Sequence, residues 1–216
     1  MNIFQQFLRI IYPELCFACR ELVAPGEILC LSCLESIKPV ASRIFPLKGH
    51  KQLTVYALGA YDNALHKLVT AKFRRSLPAA RAIGRLMVQL LPEEVLDVDL
   101  LVPVPLHWRR YANRGYNQAV EIAKIMSKKL GIPYRSVLMR QRSTVFQYLL
   151  SREARQKNVE DVFVLRPGIG TIEKGLRILL IDDLCTSGVT LQAAANTLMP
   201  LQANVISAAV CARALS

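Results

Sequence analysis

Apolar residues recur along this chain in short runs that alternate between strand-like and helix-like spacing. Strand-like runs occupy residues 53–61, 98–105, 176–181 and 204–211, and the run at 176–181 is the most apolar. Helix-like spacing is found at residues 62–74, 78–91, 117–130 and 189–199. Strands that alternate with helices predict an α/β fold built on a mainly parallel sheet.

The chain divides by pattern into three parts. Residues 1–40 predict a small separate module, residues 41–52 contain Pro46 and Gly49 and predict a linker, and residues 53–216 form the main domain. Residues 2–12 have helical apolar spacing, which predicts a short amphipathic helix packed on the body. Peripheral contact with a membrane surface stays open as the alternative.

Composition and charge narrow the function classes. Of the 216 residues, 52% are hydrophobic, which is enough for a sizeable core and excludes a disordered chain. No apolar run reaches the roughly 20 residues of a transmembrane helix, and no signal-peptide pattern surrounds residues 2–12, so we expect a cytoplasmic protein. The net charge of +12 predicts a polyanionic partner, such as nucleic acid or a phosphorylated ligand.

Four of the six cysteines form two CxxC pairs in the first module: Cys16 and Cys19, then Cys30 and Cys33 after ten intervening residues. In a reducing compartment such pairs indicate metal ligands rather than disulfides. Four thiolates predict a closed tetrahedral zinc site with a structural role, because no position is left for a catalytic water. An iron–sulfur cluster and a redox pair are the alternatives.

Residues 177–190 carry the most informative motif. An apolar strand leads into Asp182 and Asp183, and a short loop of small and hydroxyl-bearing residues then opens a helix. Loop N–H groups at a helix N-terminus favour a phosphate, whereas carboxylates repel one and suit the hydroxyls of a ribose. In open α/β sheets, ligands bind beyond the carboxyl ends of the strands.

This segment resembles the signature of the type I phosphoribosyltransferases. The resemblance implies that the catalytic acidic pair Asp182 and Asp183 holds the ribose hydroxyls of phosphoribosyl pyrophosphate (PRPP). It also implies a 5-phosphate site in the loop Cys185, Thr186, Ser187, Gly188, Val189 and Thr190. Magnesium is expected to arrive with PRPP, held mainly by phosphate oxygens and water.

A wider resemblance covers nearly the whole chain. The run Val102-Pro-Val-Pro-Leu-His107, the run Arg114-Gly-Tyr-Asn-Gln118 and the leading CxxC pairs resemble the ComF family of competence proteins. The resemblance implies a pyrophosphate loop that includes Val104, Pro105 and His107. It also implies a flexible loop over residues 140–158 that carries Arg140, Arg142, Arg152 and Arg155, whose guanidinium groups suit pyrophosphate oxygens.

Basic and aromatic residues also cluster outside these motifs. The expected contacts to single-stranded DNA are Lys72, Arg74, Arg75, Arg109, Arg110 and Arg114, with Phe73, Trp108, Tyr111 and Tyr116 among them as stacking surfaces. In the competing interpretation some of these arginines serve PRPP alone, and the aromatic residues are core.

Three functions remain open from the sequence. A PRPP-binding competence factor would handle single-stranded DNA in natural transformation, with competence or DNA-processing proteins as partners. An active phosphoribosyltransferase would act on an unknown acceptor. A regulatory module would sense PRPP. Thr186 occupies the loop position at which related purine-salvage enzymes carry an acidic base, so the acceptor chemistry cannot be read from the chain.

Overall fold

A five-stranded sheet forms the centre of the molecule. The computed structural model describes residues 13–71, 77–106, 115–140, 162–169 and 172–215. The strand order is β1-β2-β7-β6-β3, and β1 alone runs antiparallel to its neighbour. The strands are β1 (Arg43–Pro46), β2 (Gln52–Ala60), β3 (Leu100–Pro103), β6 (Arg177–Cys185) and β7 (Val205–Arg213). This architecture confirms the predicted α/β class with a mainly parallel sheet.

The remaining described elements surround this sheet. Strands β4 and β5 pair antiparallel in a separate two-stranded ribbon. Short 3₁₀ turns lie at Lys48–His50 and Met199–Leu201. The ribbon and the helices have these bounds: β4 (Leu138–Arg140), β5 (Phe163–Leu165), α1 (Leu31–Glu35), α2 (Asn63–Ala71), α3 (Leu77–Leu90), α4 (Glu93–Leu96), α5 (Gln118–Leu130) and α6 (Val189–Leu198).

The sheet is covered on both faces, as its apolar strands require. Along β6, Leu179 and Ile181 face a core layer with α2, α3 and α5, while Ile178 and Leu180 face a layer with α6, β1 and the β4–β5 ribbon. Successive side chains of a strand point to opposite faces, so a strand covered on both sides reads as a continuous apolar run. Gly84 lets α3 approach α5 closely, because a Cβ there would lie 2.8 Å from the carbonyl oxygen of Ile122.

Two segments differ from the sequence prediction. Residues 41–52, expected as a linker, contain β1 and a 3₁₀ turn, so this segment adds an antiparallel edge strand to the sheet. The strand predicted at 176–181 continues to Cys185, because its ladder with β7 extends through Leu184 and Cys185. The acidic pair therefore lies inside the strand, near its carboxyl end, and not after it.

The cysteine module packs against the main domain. Cys16, Ile28 and Leu29 are buried in the same core layer as α2, α3 and α5. The three-part domain division itself stays a prediction. In the described part of the chain no helix combines the length and the apolar character that crossing a bilayer needs.

An ion-pair cluster fastens the amino end of β6. The Arg177 guanidinium pairs with Asp97 and Asp99, and the backbone N–H of Arg177 also donates to Asp99, at 2.7 Å. The side-chain and backbone hydrogen bonds from Arg177 lower the pKa of Asp99 from 3.8 to about 2. Because that pKa is depressed, the stabilisation is fully present above pH 3.8 and is lost as the pH falls towards 2.

We therefore expect Asp99→Asn to lower the melting temperature at pH 7. The difference from the wild type should shrink as the pH falls below 4, since the Asp99 carboxyl of the unfolded wild type then binds a proton while the folded one, with a pKa of about 2, stays charged. Glu173→Gln removes an exposed carboxylate just before β6 and is the matched control. Thermal unfolding followed by circular dichroism between pH 7 and pH 3 measures both effects. A difference that is equally large at every pH would contradict the assigned role.

Candidate functional site

The carboxyl edge of the sheet brings together the ends of four parallel strands. Asp182 and Asp183 lie near the end of β6, and Asp183 is 8% exposed. The Asp182 carboxylate accepts the backbone N–H of Asp183 at 2.8 Å, which fixes its orientation. Tyr61 follows β2 at the same edge, and its N–H donates to the carbonyl of Arg213 at the end of β7.

Tyr61 is electrostatically coupled to the acidic pair. Burial raises the pKa of the Tyr61 phenol, and the negative charge of Asp183 raises it further. The phenol therefore stays protonated at neutral pH and keeps its hydrogen-bond donor. Its ring also packs on His66, with the two ring centroids 5.0 Å apart.

The loop after β6 has the form of an anion site. Thr186, Ser187 and Thr190 are exposed, while Gly188 is buried and has a left-handed φ of +80°. Gly188 is the N-cap of α6, and its carbonyl accepts the N–H of Gln192, while no side chain caps the helix. The backbone N–H groups of the first turn, at Val189, Thr190 and Leu191, therefore point towards the loop with no cap, as phosphate-binding helix ends do.

The ring of Phe45 packs against this loop at Gly188. A Cβ on Gly188 would clash with the Phe45 ring, so the glycine is required for packing as well as for its positive φ. Phe45 lies on β1 and is buried in the same layer as Cys185 and Leu191. The edge strand that the sequence suggested was a linker thus positions the candidate phosphate loop.

Cys185 is buried at the point where β6 ends and the loop begins. Its side chain is 2% exposed, and its carbonyl accepts the N–H of Ala214. Burial raises the pKa of its thiol, while the positive charges of Arg213 and Arg43 act against that rise. The thiol is therefore protonated and inaccessible, which favours a passive contact over a nucleophile.

The turn after β3 lies beside the acidic pair. The N–H of Val104 donates to the carbonyl of Ile181, which directly precedes Asp182. Asn117 binds this turn to α5: its Nδ2 donates to the Val104 carbonyl at 3.0 Å, and its Oδ1 caps the helix at Ala119. Val104 and Pro105 thus sit next to the end of β6, while His107 lies outside the described residues.

The basic residues predicted for the flexible loop and for DNA fall mostly outside the described chain. Arg140 ends β4, and its guanidinium lies over the Phe163 ring at 5.7 Å from the centroid, which anchors it on the β4–β5 ribbon. The others lie in segments that the structure does not describe: Arg142, Arg152 and Arg155 of the loop, and Lys72, Arg74, Arg75, Arg109, Arg110 and Arg114 of the DNA prediction.

The four cysteines of the N-terminal module meet in one cluster. The sulfur atoms of Cys16, Cys19, Cys30 and Cys33 all lie within 4.8 Å of one another. A tetrahedral site with metal–sulfur bonds of about 2.3 Å needs sulfurs about 3.8 Å apart, so the cluster fits one four-coordinate ion. The backbone N–H of Ala18 points at the sulfur of Cys16, at 3.4 Å, which supports a thiolate there.

The pKa values of two thiols in this cluster, Cys16 and Cys33, are shifted in opposite directions. Burial acts to raise the pKa of Cys16, but backbone hydrogen bonds from Cys19, Cys30 and Ala18 outweigh it and lower that pKa to about 6. Burial and the neighbouring sulfurs raise the pKa of Cys33. Four thiolates cannot accumulate together without a cation, and a bound divalent metal would supply the missing charge.

Sequence reasoning missed two residues of the candidate site, Tyr61 and Phe45, and two basic residues that lie beside it, Arg43 and Arg213. Tyr61 and Arg213 stand at the ends of two predicted strands, and the rule that parallel strands end at one edge could have indicated them. Phe45 and Arg43 gave no such signal, because they belong to the strand that was expected as a linker.

The carboxyl-terminal half of the chain matches a known protein family. The phosphoribosyl transferase domain family matches residues 117–216, which contain β6, the acidic pair and the loop before α6. A protein from Salmonella typhi named DNA utilization protein YhgH is 28% identical over 87% of this chain and 91% of its own length.

Two competence proteins are similar over most of the chain. Competence protein F of Haemophilus influenzae is 28% identical over 86% of this chain and 91% of its own length. Competence protein ComFC of Bacillus subtilis is 26% identical over 82% of this chain and 80% of its own length. The chain is therefore a homologue, over most of its length, of proteins named competence protein F, competence protein ComFC and DNA utilization protein YhgH, and its residues 117–216 match the phosphoribosyl transferase domain family.

Proposed function

We propose that the carboxyl edge of the sheet binds PRPP together with magnesium. In this proposal Asp182 and Asp183 accept hydrogen bonds from the ribose hydroxyls, and the loop from Cys185 to Thr190 takes the 5-phosphate. The observation that carries the proposal is the uncapped first turn of α6, with exposed hydroxyls, directly after an acidic pair. Vicinal hydroxyls donate to carboxylates and phosphates accept from backbone N–H groups, so the two halves of the site match the two halves of a ribose phosphate.

The pyrophosphate is proposed to lie over the turn after β3. Val104 is fixed between Ile181 and Asn117, so this turn is a rigid neighbour of the acidic pair. Magnesium would neutralise pyrophosphate charge, and Asp182 and Asp183 are carboxylates of the type that contact it directly or through water. Arg140, with Arg142, Arg152 and Arg155 from the segment that follows it, is proposed to add cations on the pyrophosphate side.

PRPP should raise the thermal stability of the wild type in the presence of magnesium. A ligand that binds only the folded state at 100 times its Kd stabilises by about 2.7 kcal/mol. Asp183→Asn and Gly188→Ala should each remove most of this stabilisation, the first by weakening the ribose contact and the second by displacing the loop from Phe45. Differential scanning fluorimetry with and without PRPP measures the shift.

Glu173→Gln is the matched control, because it also neutralises one carboxylate but lies before β6, at the opposite edge of the sheet. It should respond to PRPP like the wild type. If Asp183→Asn and Gly188→Ala responded as strongly as this control, the PRPP site would lie elsewhere.

We propose that the four clustered cysteines hold a structural zinc ion. Four sulfurs within 4.8 Å, two of them presented around α1, suit one tetrahedral ion and leave no open position. Because Cys16, Ile28 and Leu29 share a core layer with the main domain, the metal would stabilise that layer as well as the module.

Protein purified without added metal should contain about one zinc per chain. Cys33→Ser should lose the zinc and lower the melting temperature, because the module then has three thiolates and a weaker ligand. Cys211→Ala, which changes a cysteine of the core outside the cluster, should keep the full zinc content. Iron in place of zinc, or a Cys16–Cys19 disulfide in reduced extract, would exclude the structural zinc site.

We further propose that the protein handles single-stranded DNA in the cytoplasm during natural transformation. The net charge of +12 and the names of the relatives support this role. Binding through several phosphates should weaken steeply as salt concentration rises. Turnover of PRPP on an acceptor is the second candidate function, and release of pyrophosphate in the presence of candidate acceptors distinguishes it from binding alone.

A further inference from the structure

An open pocket lies next to the carboxyl end of β7, where Arg213 pairs with Cys185 at the start of the candidate phosphate loop. Its volume is about 320 Å³, and its lining consists of Ser42, Arg43, Arg213, Ala214 and Leu215. The described lining includes two arginines and a serine but no acidic residue. No ion pair between described residues involves either arginine. Two cations that line one pocket repel each other, and an anion bound between them would remove this repulsion.

The pocket shares its wall with the loop after β6. The Arg43 guanidinium lies over the Phe45 ring, 5.0 Å from its centroid, and the same ring packs against Gly188. The N–H of Ala214 donates to the carbonyl of Cys185 at 2.9 Å. The charges of Arg43, Arg213 and Asp182 all act on the Cys185 thiol. The pocket is thus a direct neighbour of the loop, and it is lined by different residues.

One of the two arginines is held in place before any ligand arrives. Nη1 of Arg213 donates to the carbonyl of Ala41 at 2.9 Å, which orients the guanidinium, and no other side-chain hydrogen bond joins this guanidinium to a described residue. Arg43 is oriented by its ring contact with Phe45. Guanidinium groups that are positioned in this way favour planar, paired contacts to phosphate oxygens. Leu215, which is 67% exposed, gives the pocket an apolar side next to its two cations.

We propose that this pocket is a binding subsite for a second ligand, separate from PRPP, that carries a phosphate group and a flat ring whose face can pack on an apolar side chain, as a nucleotide does. Arg43, Arg213 and Ser42 would bind the phosphate, and Leu215 would contact the ring. The inference deepens the proposed function and rests on it, because it places a nucleotide, free or at the end of a DNA strand, beside the PRPP site. The chemical class of this ligand is inferred from the two positive charges of the pocket and from its other lining residues.

Isothermal titration with thymidine, dTMP and a 5′-phosphorylated oligothymidine tests the pocket, each with and without saturating PRPP and magnesium. The wild type should bind dTMP about tenfold or more tightly than thymidine, since charge-assisted hydrogen bonds add to the affinity. Arg43→Ala with Arg213→Ala should remove this advantage. The matched control, Lys174→Ala with Arg166→Ala, also removes two positive charges from exposed positions and should keep it.

The two phosphorylated probes, dTMP and the oligothymidine, distinguish a free nucleotide from the end of a DNA strand as the ligand of this pocket. Equal affinity for dTMP and the oligomer assigns the pocket to a free nucleotide, and tighter binding of the oligomer assigns it to a strand end. Arg43→Ala alone, at an exposed residue, covers the case in which the double variant does not fold, and it should still lower dTMP affinity several-fold. PRPP stabilisation should be unchanged in all these variants, so failure of the PRPP site and failure of this pocket give different results.

Three results would overturn the inference. The first is equal binding of thymidine and dTMP by the wild type. The second is an equal loss of dTMP affinity in the control and in the Arg43 and Arg213 variants. The third is a loss of PRPP affinity in those variants with dTMP binding intact, which would assign the two arginines to the PRPP site itself.

Discussion

The parallel ladder of β6 with β3 and β7 is the constraint on which the candidate site depends. Because β6 is paired on both sides and covered on both faces, its backbone cannot shift without breaking hydrogen bonds and core contacts at once. Asp182 and Asp183 therefore have a fixed place at the carboxyl edge, and the chain must turn immediately after Cys185 to begin α6. Gly188 makes that turn, and Phe45 determines how closely the loop approaches β1.

Other parts of the molecule are arranged around this edge. Asn117 fastens the turn after β3 to α5, and the Tyr61 N–H ties the end of β2 to Arg213. At the opposite edge Arg177 binds Asp97 and Asp99, which fixes where β6 begins. The cysteine module packs on the face that carries α2, α3 and α5, opposite the face that buries Phe45.

Sequence patterns predicted the four parallel strands and helices α2, α3, α5 and α6 well, because each is a local run with its own apolar period, while the helix predicted at residues 2–12 lies outside the described residues. The four cysteines were equally recognisable, since two CxxC pairs are typical of metal ligands and their sulfurs form one cluster in the structure. The sequence did not predict strand β1, because Pro46 and Gly49 are typical of a linker. The pairing of β1 with β2 is a tertiary contact, which no local pattern indicates. The extension of β6 to Cys185 was missed for a related reason: aspartate is a poor strand former, but the ladder with β7 overrides that local preference. The packing of Phe45 on Gly188 joins residues far apart in the chain, so no local pattern announces it.

The central claim is that the turn from β6 into α6 binds the phosphate of PRPP, and amide chemical shifts test it most directly. In ¹⁵N-labelled protein titrated with PRPP and magnesium, the largest shifts should occur at the backbone N–H groups of Gly188, Val189 and Thr190. These groups change from an uncapped helix end to direct phosphate ligands. Shifts confined to the cysteine module or to the amino edge of the sheet, with the loop unchanged, would contradict the account.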